Sequence, residues 1–389
     1  MKKKIALIVL LLSSSIFAVE LTTRTFLDST TGRQIHAVGA DGANTCHQYF
    51  TAQSWDSTST KLALFTNVLN GYGDLVVFDT VTEETTYVDR TRYYFAVVSP
   101  TNKLYYTKDA YVYCFDLETN QNTLITVHPF GKAFYGVPSV SNDGTIMTVY
   151  WRDAEDRPRN ISTINTVTGA FNTIIVSSYI KSVFGDDSID HPMVNPVYKN
   201  LFFYCRNTLT GLPLSDRTWV YDQDLDVHKN IYEQKYVDES LGEYVGHEMW
   251  AYNGEKLYFV KYNSSPIKPT GLMWVDKWNS DEYGYVNGDY SYLHASVSPD
   301  EKWMSADTAY VLGPVERESD VCLINMKTKK SKILAKVDTW VDQPGHVHPS
   351  FSQDSKKVTF TFADENNNLW VGYIDISGTL HLKNRKCNP

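Results

Sequence analysis

Apolar and polar residues alternate in short runs along most of this chain, and turn sequences such as S-P-D, S-N-D-G and N-G separate the runs. A period of two sends successive side chains to opposite faces of a strand, so the pattern predicts strands joined by hairpins rather than helices. The runs also repeat. The stretch starting at His346 (HVHPSFSQDSKKVTFTFADENNNLWVGYIDISG) holds a short strand, a polar turn, a β-rich run, a loop and a second run. The same order starts again near Leu293, Gly246, Asp190, Gly136, Tyr94 and Phe50, which makes seven units. Each unit is roughly forty to fifty residues long, the size of a propeller blade.

The expected fold is therefore all-β, a seven-bladed β-propeller of four-stranded blades forming one domain over residues 19–389. Residues 21–38 precede the first unit and have room for one or two strands. These are expected to pair with the last blade and close the ring, which removes an open sheet edge. A string of β-sandwiches is the alternative, but no Pro-, Gly- or Ser-rich linker separates the units.

The first eighteen residues read differently. Lys2, Lys3 and Lys4 precede an apolar run over 5–12 and a small-residue stretch over 13–18, the three-part pattern of a secretory signal. A retained N-terminal anchor is the alternative. The apolar run is too short to span a bilayer, and no later stretch is long enough. The mature chain is expected in the periplasm or secreted, with no membrane span.

Loss of those three lysines would take the formal charge from −9 to −12. So acidic a body lacks the basic footprint that nucleic acid requires. An acidic ligand would have to meet a local cluster of positive charge. No protein partner is evident in the sequence. The five cysteines (Cys46, Cys114, Cys205, Cys322, Cys387) form no C-x-x-C pair and offer no zinc cluster. They read mainly as small buried apolar residues, with one disulfide open in an oxidising compartment.

Candidate chemistry appears when the units are aligned on their first turn. His191, His247, His294 and His348 each lie four residues before the turn positions Asn195, Ala251, Ser298 and Ser352. The earlier units carry Val137, Phe95 and Phe50 there. Equivalent positions on the innermost strands of a propeller surround its axis, so these side chains should converge. Any one of them could be a hydrogen-bonded axial histidine, but four in consecutive units from only ten histidines mark a site. His346 and Gln343 precede His348 closely, and residues i and i+2 of a strand share a face. Three imidazoles (His294, His346, His348) with the Gln343 amide suit a borderline transition metal with open coordination positions. Thiolates or further imidazole would mark structural zinc, and carboxylates calcium. Arg217, in the D-R-T-W stretch, could simply form a surface salt bridge with Asp216 or another acid.

These residues resemble those of the oligogalacturonate lyases, polysaccharide lyase family 22. The resemblance runs from about Thr45 to Ile376. It rests on Thr45-Cys46-His47, Asp190-His191-Pro192, Asp216-Arg217-x-Trp219, and Gly242-Glu243 followed by His247-Glu248-x-Trp250. It continues through Leu293-His294, Asp338-Thr339-Trp340 and Gln343-x-x-His346-x-His348-Pro349-Ser350-Phe351. It implies a seven-bladed propeller and a manganese ion (Mn2+) on His294, Gln343, His346 and His348. It further implies His247 as the base and Arg217 as its assisting cation. His47 and His191 match less tightly and become candidate substrate contacts. Two features depart from the family: the signal sequence, and Gln48 where a basic residue is expected.

The implied reaction is β-elimination on an acidic oligosaccharide. A divalent ion on the uronate carboxylate acidifies the neighbouring C5 proton, and a neutral imidazole removes it. No carboxylate pair is needed, whereas a glycosidase would require one. A lyase acting on another uronate polymer, such as ulvan, is the alternative enzyme. A non-catalytic periplasmic propeller that binds sugars or proteins is the alternative of another class.

Overall fold

The computed structural model describes residues 20–152, 160–184, 188–207, 216–308 and 318–378. The expected signal segment and Cys387 lie outside the described residues. Regular structure among the described residues is almost wholly β, with a single helix at Ser177–Phe184. No described helix is long and apolar enough to cross a membrane.

The strands form small antiparallel sheets in chain order. One sheet holds Ala96–Val98, Lys103–Lys108, Tyr111–Asp116 and Asn122–Val127. A second holds Phe134–Val140, Ile146–Trp151, Asn160–Asn165 and Phe171–Ile175. A third comprises Ser188–Val194, Leu201–Asn207, Thr218–Asp222 and Val227–Tyr232. A fourth comprises Val245–Trp250, Lys256–Lys261, Gly271–Asp276 and Tyr283–Asn287. The strands Tyr292–Val297, Trp303–Thr308, Glu318–Asn325 and Ser331–Asp338 then join the C-terminal strands through one pair, Asp338 opposite Ala363.

Two units are less regular than the repeat suggests. Before Lys61–Leu69, Tyr72–Asp79 and Thr85–Arg92, the inner segment forms no regular strand and meets its sheet through isolated bridges at Cys46–Phe65 and Trp55–Leu62. In the last unit the inner strand shrinks to Ser350–Phe351. The chain's start behaves as expected: Gln34–Gly39 pairs with both Thr22–Leu27 and Leu369–Asp375. The N-terminal strands thus cover the edge of the C-terminal sheet, which would otherwise expose unpaired backbone groups.

Polar turns fix the hairpins that follow Val137, His294 and His348. Ser141, Ser298 and Ser352 each donate a hydroxyl to the aspartate two residues on, at 2.6–2.7 Å. Each hydroxyl also accepts the backbone N–H five residues on. Such side-chain locks pin the hairpin register, and register decides which side chains face inward. Apolar residues of neighbouring sheets then share cores. Met193, Phe203 and Val220 pack with Trp250, Leu257 and Phe259, and the Trp250 indole N–H reaches the Met193 carbonyl at 3.3 Å. Cys46, Cys205 and Cys322 are buried free thiols, as the small-apolar reading expected, while Cys114 is half-buried.

Candidate metal and catalytic centre

The shared position brings Phe50, His247, His294 and His348 together. The His247 and His294 rings lie 4.1 Å apart, and those of His294 and His348 lie 4.3 Å apart. Phe50, which holds the same position in the first unit, contacts His247, His294 and His348 at 5.3–6.0 Å. Its neighbour Tyr49 stacks on His191 at 5.7 Å and meets His348 edge-on at 4.7 Å. Phe50 and Tyr49 therefore close the bottom of the cluster with apolar surface.

The backbone there departs from regular pleating. Register shifts interrupt the inner strands around His191, His247 and His294. His191, His247 and His348 have φ of 48°, 54° and 47°. Left-handed non-glycine residues carry strain that packing must offset, and bulges re-aim side chains. Here they swing the imidazoles toward the cluster. The segment 346–348 is not strand, so its two imidazoles do not meet through simple pleating.

His294, His346 and His348 offer ligand atoms within 4.8 Å of one another. The Gln343 amide nitrogen is 3.0 Å from His346 Nδ1 and 3.2 Å from His348 Nε2. Secondary contacts set which nitrogen each imidazole presents. His294 donates Nδ1–H to Asp307 Oδ2 at 2.8 Å, while its backbone N–H donates to Oδ1 at 2.6 Å. Its Nε2 is left for a ligand. His346 donates Nε2–H to the Val341 carbonyl at 2.7 Å, so its Nδ1 is the nitrogen with the lone pair, facing the Gln343 amide. Tyr94 Oη is 3.1 Å from Gln343 Oε1 and 3.0 Å from the Pro344 carbonyl. With its proton on Pro344 the hydroxyl can accept from the amide, so the Gln343 oxygen can turn inward as a ligand.

Burial lowers the pKa of His294 and His348 well below the ordinary value, and neighbouring imidazoles add to the effect. Neutral imidazoles are what a metal ion needs. Burial pushes the Asp307 carboxyl the other way, up to about 7. The donor set is three neutral imidazoles and an amide, backed by one carboxylate. It fits a divalent transition ion with open positions.

His247 sits beside this group. Its Nδ1 is 2.5 Å from the Leu293 carbonyl oxygen and 2.8 Å from Tyr262 Oη. The carbonyl can only accept, so Nδ1 carries the proton and Nε2 keeps the lone pair. A side chain at Gly246 would meet the Tyr262 hydroxyl at 2.4 Å, so glycine there admits the tyrosine. Burial lowers the His247 pKa well below its usual value; His294, Arg217 and His191 follow as causes, in that order. Arg217 thus helps keep His247 neutral, but burial does more.

Arg217 is not in a surface salt bridge with Asp216. It donates Nε–H to Glu248 Oε1 at 2.6 Å and Nη2–H to Oε2 at 3.3 Å, and pairs also with Asn207. Its side chain is 19% exposed and that of Glu248 1%. Asp216 instead accepts from the Gln234 backbone and from Tyr236. His191 is half-buried on the cluster's edge, with Nδ1 3.5 Å from Cys205 Sγ. His47 is fully buried behind His348, with Nε2 3.3 Å from the Val347 carbonyl. Asp307, Tyr94, Glu248 and Tyr262 join the site without a role assigned from sequence. Glu248 stands in the His247-Glu248-x-Trp250 motif, and Asp307 is a lone acid within an otherwise uncharged stretch, W-M-S-A-D-T; Tyr94 and Tyr262 carry no such signal.

Fold and site together define a propeller-like all-β protein with a histidine-rich centre able to hold a metal ion. The chain is similar to the oligogalacturonate lyase of Dickeya dadantii (strain 3937), at 23% identity over 377 residues. That alignment covers 87% of this chain and 92% of the other. In structure it is similar to an oligogalacturonate lyase in complex with manganese, with a TM-score of 0.76 and 20% identity. The match covers 92% of this chain and 96% of that one. An oligogalacturonate lyase from Vibrio parahaemolyticus gives a TM-score of 0.77 at 18% identity, covering 93% and 98%. No family model matches the sequence. The resemblance to the oligogalacturonate lyases, read first from motifs, thus extends over most of the chain in both sequence and fold.

Proposed function

We propose that this protein is a metal-dependent lyase that cleaves oligogalacturonate by β-elimination, leaving an unsaturated uronate on one product. In this reading the sheets form one closed seven-bladed propeller, and residues 1–18 direct it to the periplasm or beyond the cell. His294, Gln343, His346 and His348 would hold Mn2+. The observation that carries the proposal is the pairing of two things: a metal-type imidazole group and, 4.1 Å from one of its rings, an imidazole held neutral with its lone pair unclaimed.

When bound, the ion supplies the positive charge that offsets the uronate carboxylate and so acidifies the adjacent C5–H. His247 Nε2 takes that proton while the Leu293 carbonyl keeps Nδ1–H in place. The C5–H electron pair becomes the C4–C5 double bond, and the C4–O bond breaks with its electrons on the leaving oxygen. That oxygen takes a proton from solvent, and His247 later releases its own. Arg217, fixed by Glu248, counters the substrate's charge beside His247.

The test is absorbance of the conjugated unsaturated uronate after mixing purified protein, manganese and trigalacturonate. Product formation that chelator abolishes supports the reading. A protein that binds the oligomer without forming product is a sugar-binding propeller instead.

A further inference from the structure

A cavity of about 100 Å3, lined by none of the histidines, is not used by the reaction described above. Phe95 lines it, and Phe95 holds in its unit the position that the histidines hold in later ones. The preceding residue, Tyr94, is hydrogen-bonded to Gln343 and packs 5.3 Å from the His348 ring. The cavity and the metal-type group are thus joined by adjacent residues of one segment.

Its lining is cationic and aromatic, in a chain whose formal charge is −9. Arg90 is offset by Asp74 at 2.7 Å, and Lys108 by Asp89 at 2.6 Å. Arg92 is different: it is exposed, and no carboxylate among the described residues pairs with it. Its guanidinium instead lies over the Tyr72 ring, 5.1 Å from the centroid. Stacking on an aromatic face orients the planar fork without consuming its hydrogen-bond donors. Tyr72 and Tyr135 are 38% and 37% exposed at the same cavity, and the Arg152 guanidinium lies over the Tyr135 ring, 4.0 Å from its centroid. A guanidinium grips a carboxylate with two parallel bonds.

We propose that this cavity is a distal subsite that binds a further uronate unit of the substrate chain, with Arg92 taking its carboxylate. The subsite makes the enzyme select chains longer than the cleaved pair of sugars. Asp109 also lines the cavity, and among the described residues it enters no salt bridge, so it opposes the acidic chain. The assignment rests on the uronate-lyase reading above.

Steady-state kinetics on di-, tri- and tetragalacturonate test it, with metal-loaded full-length protein. Arg92→Ala should raise KM for the longer chains about tenfold with little change in kcat, so their advantage over the dimer shrinks. Asp109→Asn should lower the same KM values; asparagine tolerates the left-handed backbone at that position, where φ is 52°. Calorimetry with tetragalacturonate in a His247→Ala background reads the Arg92 effect without turnover. If the parent cleaves uronate chains while both variants keep parental KM and affinity at every length, the subsite is refuted. If the parent forms no unsaturated product, the lyase reading itself fails, and loss of tetragalacturonate affinity in Arg92→Ala still decides the subsite.

Discussion

His247 Nδ1 lies 2.5 Å from the carbonyl oxygen of Leu293, the residue immediately before His294. The backbone that carries one metal-type imidazole therefore orients the neighbouring one, and the two cannot move independently. This contact fixes Nε2 as the nitrogen available for chemistry.

His247→Asn keeps a polar side chain near Leu293 but cannot accept a proton at neutral pH. Turnover on trigalacturonate should fall by about 10² to 10⁴, with metal content and melting temperature retained. Activity within a few-fold of the parent would move the base elsewhere, with His191 next to be tested.

The double variant His346→Ala, His348→Ala removes two of three imidazoles whose ligand atoms lie within 4.8 Å of one another. Elemental analysis after mild purification should find bound divalent metal in the parent and almost none in the variant. Equal metal content in both would refute the assignment.

Asp307 accepts both the backbone N–H and the ring Nδ1–H of His294. Asp307→Asn should weaken metal binding by about 10- to 100-fold while the fold persists, because the ring loses the carboxylate that fixes its tautomer. Titration of the chelator-stripped variant with manganese measures the change. An unaltered Kd would show that the carboxylate serves packing alone.

Burial lowers the His47 pKa from 6.5 to about 4 in the folded protein. The unfolded chain therefore binds a proton at a higher pH than the folded one. This contribution to stability is complete above pH 6.5, falls as pH drops, and levels off below about pH 4; it amounts to about 3 kcal/mol. Buried His247, His294 and His348 shift in the same direction, while Asp307, pushed up to about 7, works the other way as one group against four. Melting curves of chelator-treated protein at pH 7.5, 6 and 5 should show a falling Tm, with a shallower slope in His47→Gln. A flat profile down to pH 5 would contradict the buried neutral state of these rings.

Much of this architecture is legible in one dimension because it repeats. The Ser-x-Asp turns at Ser141, Ser298 and Ser352 use neighbouring residues only, so they mark three of the hairpins, and a constant offset of four residues gives the histidines one address. The pairing of the N-terminal strand with Leu369–Asp375 is likewise foreseeable, because an unpaired sheet edge is costly wherever it occurs.

Other contacts have no such local marker. Tyr94 reaches Gln343 across 249 residues, and Arg217 meets Glu248 rather than the adjacent Asp216. Spatial neighbours from different sheets leave no spacing rule in the sequence. The register shifts and left-handed residues around His191 and His247 override the simple alternation of inward and outward side chains. Sequence alone determined the repeated strands, the candidate ligands and their common address, since these depend on local patterning and turn chemistry. The tertiary structure decided which nitrogen each imidazole presents, which acid holds Arg217 and which carboxylate backs His294. Those depend on hydrogen bonds between strands and sheets that only packing brings within 3 Å or so of each other.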